Sequence, residues 1–503
     1  MKNKILLILL LSLAFILRFY KLGEIPPALH VDEAYMTQAA LSLIDRSENP
    51  LDSYYSITRI GNWMTAVFLS IFGFSYEVVR LSSVVYGIVA ILMLYLFCKE
   101  EFNKQVAVLA SFIASVSHVF LAYSRMNLPN MQVPALFMAL LYSLNKAIHH
   151  NSLKWTITAG VITGISMYSY TGAKLIPLLG VVYLIFHIRS VSARLWMSYF
   201  FFFIFTTIPL FSLISGIDNY FVREYEVSLM NEEVYPATPT TYLSYSIINF
   251  FAFIDYPDKS VQYANGPILD FISVTFFLFT LGNYFYRLAT GKKYQYKKSI
   301  SLLLSCFLII IASVSLTDAP PQSQRLLISL PIVFIFIALG IEKLQHLVLE
   351  ASTGTAARIT TMIVLSVLAT SHIYTLFGNY RKQLQNPYTW IEPATSIAEY
   401  NQNHQEKTNY LMETENLTVD FSTLVLLSRD VKPLKPYSDD LVLDENSTLI
   451  VPLFESYTRM KEEPVNRDKI VQLQKEGYGI SYSEDTKCPK CFSGPLFGVV
   501  SKQ

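Results

Sequence analysis

The chain is organised by a succession of apolar runs, most of them close to the ~20 residues that cross a hydrocarbon core about 30 Å thick. They fall at residues 5–17, 81–97, 105–123, 131–144, 155–170, 173–186, 195–214, 267–286, 300–316, 326–341 and 359–377. Lipid tolerates only helices and closed barrels, so runs of this length predict a mainly α, polytopic membrane protein with about eleven transmembrane helices. Composition agrees: 52% of residues are hydrophobic and 15% charged, against roughly 25% charged in soluble domains. With 39 basic and 38 acidic residues, there is no global cationic field to draw the chain onto nucleic acid. The first run follows Lys2 and Lys4 and leads into Arg18, Phe19, Tyr20 and Lys21. That is no small-residue cleavage site, so the run reads as an uncleaved anchor.

An odd number of spans puts the two termini on opposite sides. A cytoplasmic N-terminus gathers Lys99, Lys104, Lys146, Lys154, Arg189, Arg194, Arg287, Lys292, Lys293, Lys297, Lys298, Lys343 and Arg358 into short cytoplasmic connections, as the positive-inside rule requires. Two long connections, 21–80 and 216–266, then lie outside, where function is expected. Within the first, residues 62–74 are apolar but too short to span, which suits a helix lying in the interface. The transmembrane domain is expected over residues 1–379. Residues 380–503 are polar, with strand-like runs at 448–454 and 496–501 around a helical pattern at 466–477, and predict a small extracytoplasmic α/β domain. The compact loops favour a prokaryotic plasma (inner) membrane. Cys98 and Cys306 lie in apolar runs and pack there. Cys488 and Cys491 read as half of a zinc site or as a local disulfide.

The residues that bear chemistry gather on the outer side. His30-Val31-Asp32-Glu33-Ala34 opens a helical stretch, so Asp32 reads as an N-cap with Glu33 favourable in the first turn. The same capping keeps Asp32 ionised and able to accept a proton from an attacking hydroxyl. Arg125, Lys174 and Arg325 stand at the ends of apolar runs. Each alone reads as a snorkelling residue. An arginine within the core costs about 2.5 to 3.5 kcal/mol on insertion scales, so three such cations on one side suggest a bound anion, and phosphate at the membrane surface suits them. These parts fit transfer of a sugar from an isoprenoid-linked phosphate in the outer leaflet: cations stabilise the leaving phosphate while a carboxylate deprotonates the acceptor. Tyr170, and Asp218 and Asp255 within the tyrosine-rich 216–266 loop, are candidate sugar or acceptor contacts. Asp32 and Glu33 with Asp218 or Asp255 offer oxygen ligands to a divalent metal ion, although no spacing identifies a cage.

Over roughly the first 340 residues the sequence resembles the GT-C type membrane glycosyltransferases, specifically glycosyltransferase family 39, the protein O-mannosyltransferase-like group. The resemblance rests on His30 to Ala34, Phe72-Gly73-Phe74-Ser75 through Val79-Arg80-Leu81, Tyr123-Ser124-Arg125, Gly160 and Gly164, and Tyr168 to Tyr170 with Lys174 and Pro177. It continues through Arg325-Leu326-Leu327 and Pro331. It implies a transferase with a polyprenyl-phosphate sugar donor and a glycan, lipid or protein acceptor. Asp32 then matches the acidic first-loop residue that acts at the acceptor, Glu33 its partner, and Arg125 and Arg325 phosphate contacts. Asn127 and Asn130 stand where related members often carry a carboxylate, and Lys174 where arginine is more usual, keeping the charge without the bidentate fork. A transporter or lipid-sugar flippase is the alternative, but carriers usually show repeated halves and polar breaks at mid-membrane depth.

Overall fold

The computed structural model describes residues 2–26, 29–45, 59–213, 225, 228–229, 238–255, 267–318, 320–380, 391–414, 417–438, 441–455, 463–464, 466–483 and 497–502. The helical part comprises α1 (Lys2–Phe19), α2 (Val31–Asp45), α3 (Arg59–Phe72), α4 (Tyr76–Glu101), α5 (Lys104–Val116), α6 (His118–Ser124), α7 (Gln132–His149), α8 (Leu153–Ser166) and α9 (Ile176–Phe186). It continues with α10 (Ala193–Leu213), α11 (Pro239–Phe251), α12 (Phe271–Ala289), α13 (Lys297–Val314), the short α14 (Ser323–Leu326), α15 (Leu330–Ala351) and α16 (Gly354–Tyr374). Each apolar run of the sequence coincides with one of these helices or, for 105–123, with the pair α5 and α6. Four helical stretches are long and apolar enough to cross a membrane among the described residues, Tyr76–Glu101, Lys297–Val314, Ser323–Ala351 and Gly354–Gly378. The α5–α6 pair makes a fifth if it counts as one span, bent by 63° at Ser117.

Packing follows the distribution of apolar side chains. Along α15, Leu330 to Ile341 are buried without interruption, the signature of a helix enclosed on all sides, and α5, α12, α13 and α16 pack around it. The α8–α10 contact is the closest in kind to a small-residue membrane interface. A Cβ on Gly160 would lie 2.6 Å from the Tyr199 carbonyl oxygen, and one on Gly164 2.5 Å from Thr206 Cβ, so both glycines are needed for the backbones to approach. The interfacial reading of 62–74 corresponds to α3. Trp63, Val67 and Ile71 are exposed at a spacing of four residues, while Gly61, Asn62, Thr65, Ala66 and Leu69 face the protein. Inside the 216–266 connection, read as a loop, the structure holds α11, begun by the Thr238 cap and Pro239. It lies against α13, where Asn249 Nδ2 donates to Ser315 Oγ at 3.0 Å.

The C-terminal part adds α17 (Ile391–Asn403), β1 (Thr408–Leu411), α18 (Ser422–Leu427), β2 (Lys435–Pro436), β3 (Ser447–Pro452), β4 (Phe454–Glu455), β5 (Glu463–Pro464), α19 (Arg467–Lys475), β6 (Tyr478–Tyr482) and β7 (Phe497–Lys502). Its sheet runs β2-β1-β3-β7-β6, with β1 parallel to β2 and β3, and β7 antiparallel to β3 and β6. Alternation along β3 sends Ile450 to a core shared with α17 and α18, and Leu449 and Val451 to one shared with α19. The domain rests on the helical part through α18. Leu426 enters an apolar cluster with Leu29, Ala34, Ala40, Ala66, Leu69 and Val79, and Gln38 Nε2 donates to the Ser422 carbonyl at 2.9 Å.

Candidate active site

The two acids that open α2 lie side by side in sequence and in opposite surroundings. His30 ends the preceding loop, its carbonyl accepting the Ala34 N–H at 2.9 Å and starting the helix. Glu33 turns inward and is fully buried. Its Oε1 accepts from Arg80 Nε at 3.0 Å and from the Asn127 N–H at 2.8 Å. Its Oε2 accepts from Arg80 Nη2 at 3.2 Å and from the His30 N–H at 3.1 Å. Four donors, one pair bidentate, compensate a carboxylate removed from water. Asp32 turns outward, with 46% of its side chain exposed and Oδ2 3.6 Å from His30 Nδ1. It is ionisable, rigidly placed in a first helical turn, and reachable.

Two arginines fix the loop that leads to these acids. Arg80 Nη1 donates to the carbonyls of Leu22 at 2.7 Å and Pro26 at 2.9 Å. Arg125 donates from Nη1 to Leu17 and Arg18, at 3.0 and 2.8 Å, and from Nη2 to Lys21 and Ile25, at 3.0 and 2.9 Å. The carbonyls of residues 21, 22, 25 and 26 are thus divided between two buried guanidinium groups. Arg125 also satisfies the last carbonyls of α1, which have no partner within the helix, and lies 5.2 Å over the Phe377 ring. Arg125, expected to contact phosphate, has a buried side chain whose two terminal nitrogens donate to backbone carbonyls.

Both oxygens of Glu33, a candidate metal ligand in the sequence, accept hydrogen bonds from the protein. Among the described residues no group of three or more His, Cys, Asp or Glu is placed to hold a metal ion. Asp255 is exposed at the end of the turn after α11. Asp218, Cys488 and Cys491 lie outside the described residues.

Lys174 and Arg325 are set differently from Arg125. Lys174 is half-buried in the single 3-10 turn Thr171–Leu175, beside half-buried Tyr170. Ser169 Oγ donates to Gln132 Oε1 at 2.6 Å, and a Cβ on Gly61 would fall 2.0 Å from Gln132 Nε2, so this turn is fitted to the starts of α3 and α7. Arg325 Nη2 meets Asp318 Oδ1 at 2.7 Å, with the two side chains 14% and 22% exposed. Its Nη1 donates to the Asp318 carbonyl at 2.6 Å. The α14 segment is tied to the same rim by Tyr123 Oη against Ser323 Oγ at 2.8 Å.

Arg80 is the residue whose part the sequence reading missed. The available signal was an arginine in the first turns of a 26-residue apolar helix, a placement that demands a buried partner. Arg18 gave a related signal, an arginine in the last turn of the apolar α1. It is buried, and its guanidinium donates to the carbonyls of Ala14, Ser115 and Ala114 at 3.2, 3.3 and 3.4 Å.

The chain is thus a helical bundle on which a small α/β domain rests through α18. Comparison with solved structures bears this out. The chain superposes on ArnT from Cupriavidus metallidurans, solved bound to undecaprenyl phosphate, with a TM-score of 0.60 at 12% identity, over 98% of this chain and 97% of that one. The oligosaccharyltransferase from Archaeoglobus fulgidus gives 0.51 at 13% identity, over 97% and 73%. In sequence, residues 59–213 match the family described as dolichyl-phosphate-mannose-protein mannosyltransferase. Among curated proteins no relative matches.

Proposed function

We propose that the chain is an inverting glycosyltransferase that moves a sugar from a polyprenyl-phosphate donor to a hydroxyl acceptor on the extracytoplasmic side, with Asp32 as the base. The observation that carries this reading is the contrast at the start of α2: Glu33 is closed off by Arg80, and Asp32 beside it is half exposed in a first helical turn that follows a clamped loop. The likeness to a fold that holds undecaprenyl phosphate in ArnT supplies the donor class. In the reaction the acceptor oxygen attacks the anomeric carbon and its proton passes to Asp32. The bond from that carbon to the phosphate oxygen breaks, and the electron pair leaves on the phosphate. Lys174, and Arg325 on exchanging Asp318 for phosphate, stabilise that charge, and Tyr170 offers a ring face to the sugar. The reading includes about eleven spans of roughly the required length, a cytoplasmic N-terminus, a transmembrane domain over residues 1–379 and an extracytoplasmic domain over 380–503.

The test uses membranes supplied with a labelled polyprenyl-phosphate sugar, following label into lipid-free or acceptor-linked product. Asp32→Asn is expected to lower turnover by about 10²- to 10⁴-fold, the usual contribution of a positioned proton acceptor, with the protein still folded. Turnover within a fewfold of the wild type contradicts the assignment. Translocation of the intact lipid-sugar in liposomes, with no sugar released or transferred, would instead establish a flippase.

A further inference from the structure

We infer that Asn127 is a positioning residue for Asp32, setting the rotation of α2 through Glu33 and Thr37 so that Asp32 faces the acceptor. The inference rests on Asp32 serving as the base and adds to that site the residue that aims it. Asn127 is buried in the short connection between α6 and the 3-10 turn Pro129–Met131. It reaches three helices at once. Its backbone N–H donates to Glu33 Oε1 at 2.8 Å and its Nδ2 to Thr37 Oγ1 at 3.3 Å, both on α2. Its Oδ1 accepts from Thr65 Oγ1 of α3 at 3.1 Å and from Ser82 Oγ of α4 at 3.0 Å. Thr37, Thr65 and Ser82 are themselves buried.

The hydrogens of this network fix the orientation of the amide. The Thr37 hydroxyl donates to the Glu33 carbonyl at 2.6 Å, so towards Asn127 it presents only lone pairs and is matched by an N–H. Thr65 and Ser82 each bring a hydroxyl hydrogen and are matched by an oxygen with two lone pairs. A carboxylate at this position would offer Thr37 no donor. It would also bury a second negative charge beside Glu33, whose own charge Arg80 already balances.

The helix needs such a guide. Apolar residues of α2, from Val31 to Ile44, lie all around its circumference, and those it buries are Ala34, Met36 and Ala40, two of them small. Apolar packing alone therefore defines its rotation weakly. Arg80 grips the first turn through Glu33. Thr37, one turn further along the same stripe, supplies a second point of attachment, and a helix held at two points on one stripe resists turning. Asp32 stands about 100° around the axis from Glu33, so holding that stripe inward holds Asp32 outward, where nearly half its side chain is exposed.

Asn127→Ala removes the side-chain contacts and keeps the backbone N–H that Glu33 accepts. Transfer from a labelled polyprenyl-phosphate sugar is measured per folded molecule, together with the thermal unfolding midpoint, for Asn127→Ala, Thr37→Val, Asp32→Asn and the double variant Asp32→Asn with Asn127→Ala. The expected result is a loss of kcat in Asn127→Ala of about ten- to hundredfold, the scale of a catalytic group misplaced by about 1 Å. KM for the donor stays within a fewfold of wild type, and Thr37→Val loses kcat in the same direction. In the double variant kcat is no lower than in Asp32→Asn, because the acid that Asn127 aims is already gone. A merely structural asparagine lowers the midpoint and leaves kcat unchanged, or lowers kcat by the same factor with and without Asp32; either result overturns the inference. Should Asn127→Ala fail to fold, Thr37→Val removes the same contact from the other side, and wild-type kcat there overturns it. Full activity in Asp32→Asn overturns the underlying reading instead, so the two failures are told apart.

Discussion

The two ends of α4 both bury charge, and they use it differently. At its far end Glu101 accepts from Ser299 Oγ and Asn145 Nδ2. Nearby, Asn103 Nδ2 donates to Tyr296 Oη at 2.9 Å and Glu342 Oε1 at 2.8 Å, Lys146 meets Glu100 at 2.8 Å, and Gln105 bonds Gln345. These contacts staple α4, α5, α7, α13 and α15 to one another. At the near end Glu33 and Arg80 make a comparable staple between α2 and α4, but the acid beside Glu33 keeps nearly half its side chain open to solvent. A saturated network marks structure. A saturated network with one reachable acid at its edge is the arrangement on which the proposed site rests.

The comparison is broken most directly by removing one partner of the near-end pair. Arg80→Ala leaves Glu33 buried without its counter-ion and frees two loop carbonyls. A loss of about 3–5 kcal/mol is expected, read as a drop in the midpoint of thermal unfolding in detergent, with transfer abolished because the 21–26 loop is released. A stable, active Arg80→Ala protein would show that the pair does not hold the site. A smaller effect is expected from Arg325→Ala. Its ion pair with Asp318 is partly exposed and contributes little to stability, about 0–1 kcal/mol, whereas KM for the lipid donor rises about tenfold if Arg325 takes the phosphate, the equivalent of one charge-assisted hydrogen bond. Unchanged KM removes Arg325 from the donor site. The smallest effect belongs to the far end. Glu101→Gln keeps one oxygen for Asn145 Nδ2 while its amide N–H donates to Ser299 Oγ, and is expected to change stability by about 1 kcal/mol or less, with turnover per folded molecule unaltered. A large loss of turnover there would mean that the far-end network is coupled to the chemistry.

What the sequence made legible follows the range of the interactions involved. Apolar length is a local property, so the runs at 81–97 and 300–316 mark α4 and α13, and the short apolar stretch 62–74 marks α3, on which Trp63, Val67 and Ile71 are exposed. The strand-like runs at 448–454 and 496–501 fall on β3 and β7, whose pairing is fixed by alternating Leu449, Ile450 and Val451. The bend between α5 and α6 was not legible, because neither proline nor glycine marks Ser117. Nor was the division of labour between Asp32 and Glu33. Successive residues on a helix point about 100° apart, and which one turns inward is decided by Arg80, 47 positions away. The carbonyl partners of Arg125 were not legible for a similar reason, since backbone groups leave no trace in residue identity. Side-chain chemistry named the acids, and long-range geometry assigned them.

The central claim is that Asp32 acts in the reaction while Glu33 holds the scaffold. Turnover of the polyprenyl-phosphate sugar per folded molecule, measured for Asp32→Asn alongside its thermal unfolding midpoint, tests it most directly. The account predicts a midpoint within a few degrees of wild type and turnover reduced by at least about a hundredfold. Wild-type turnover, or a loss of activity matched by a collapse of the unfolding midpoint, would contradict it.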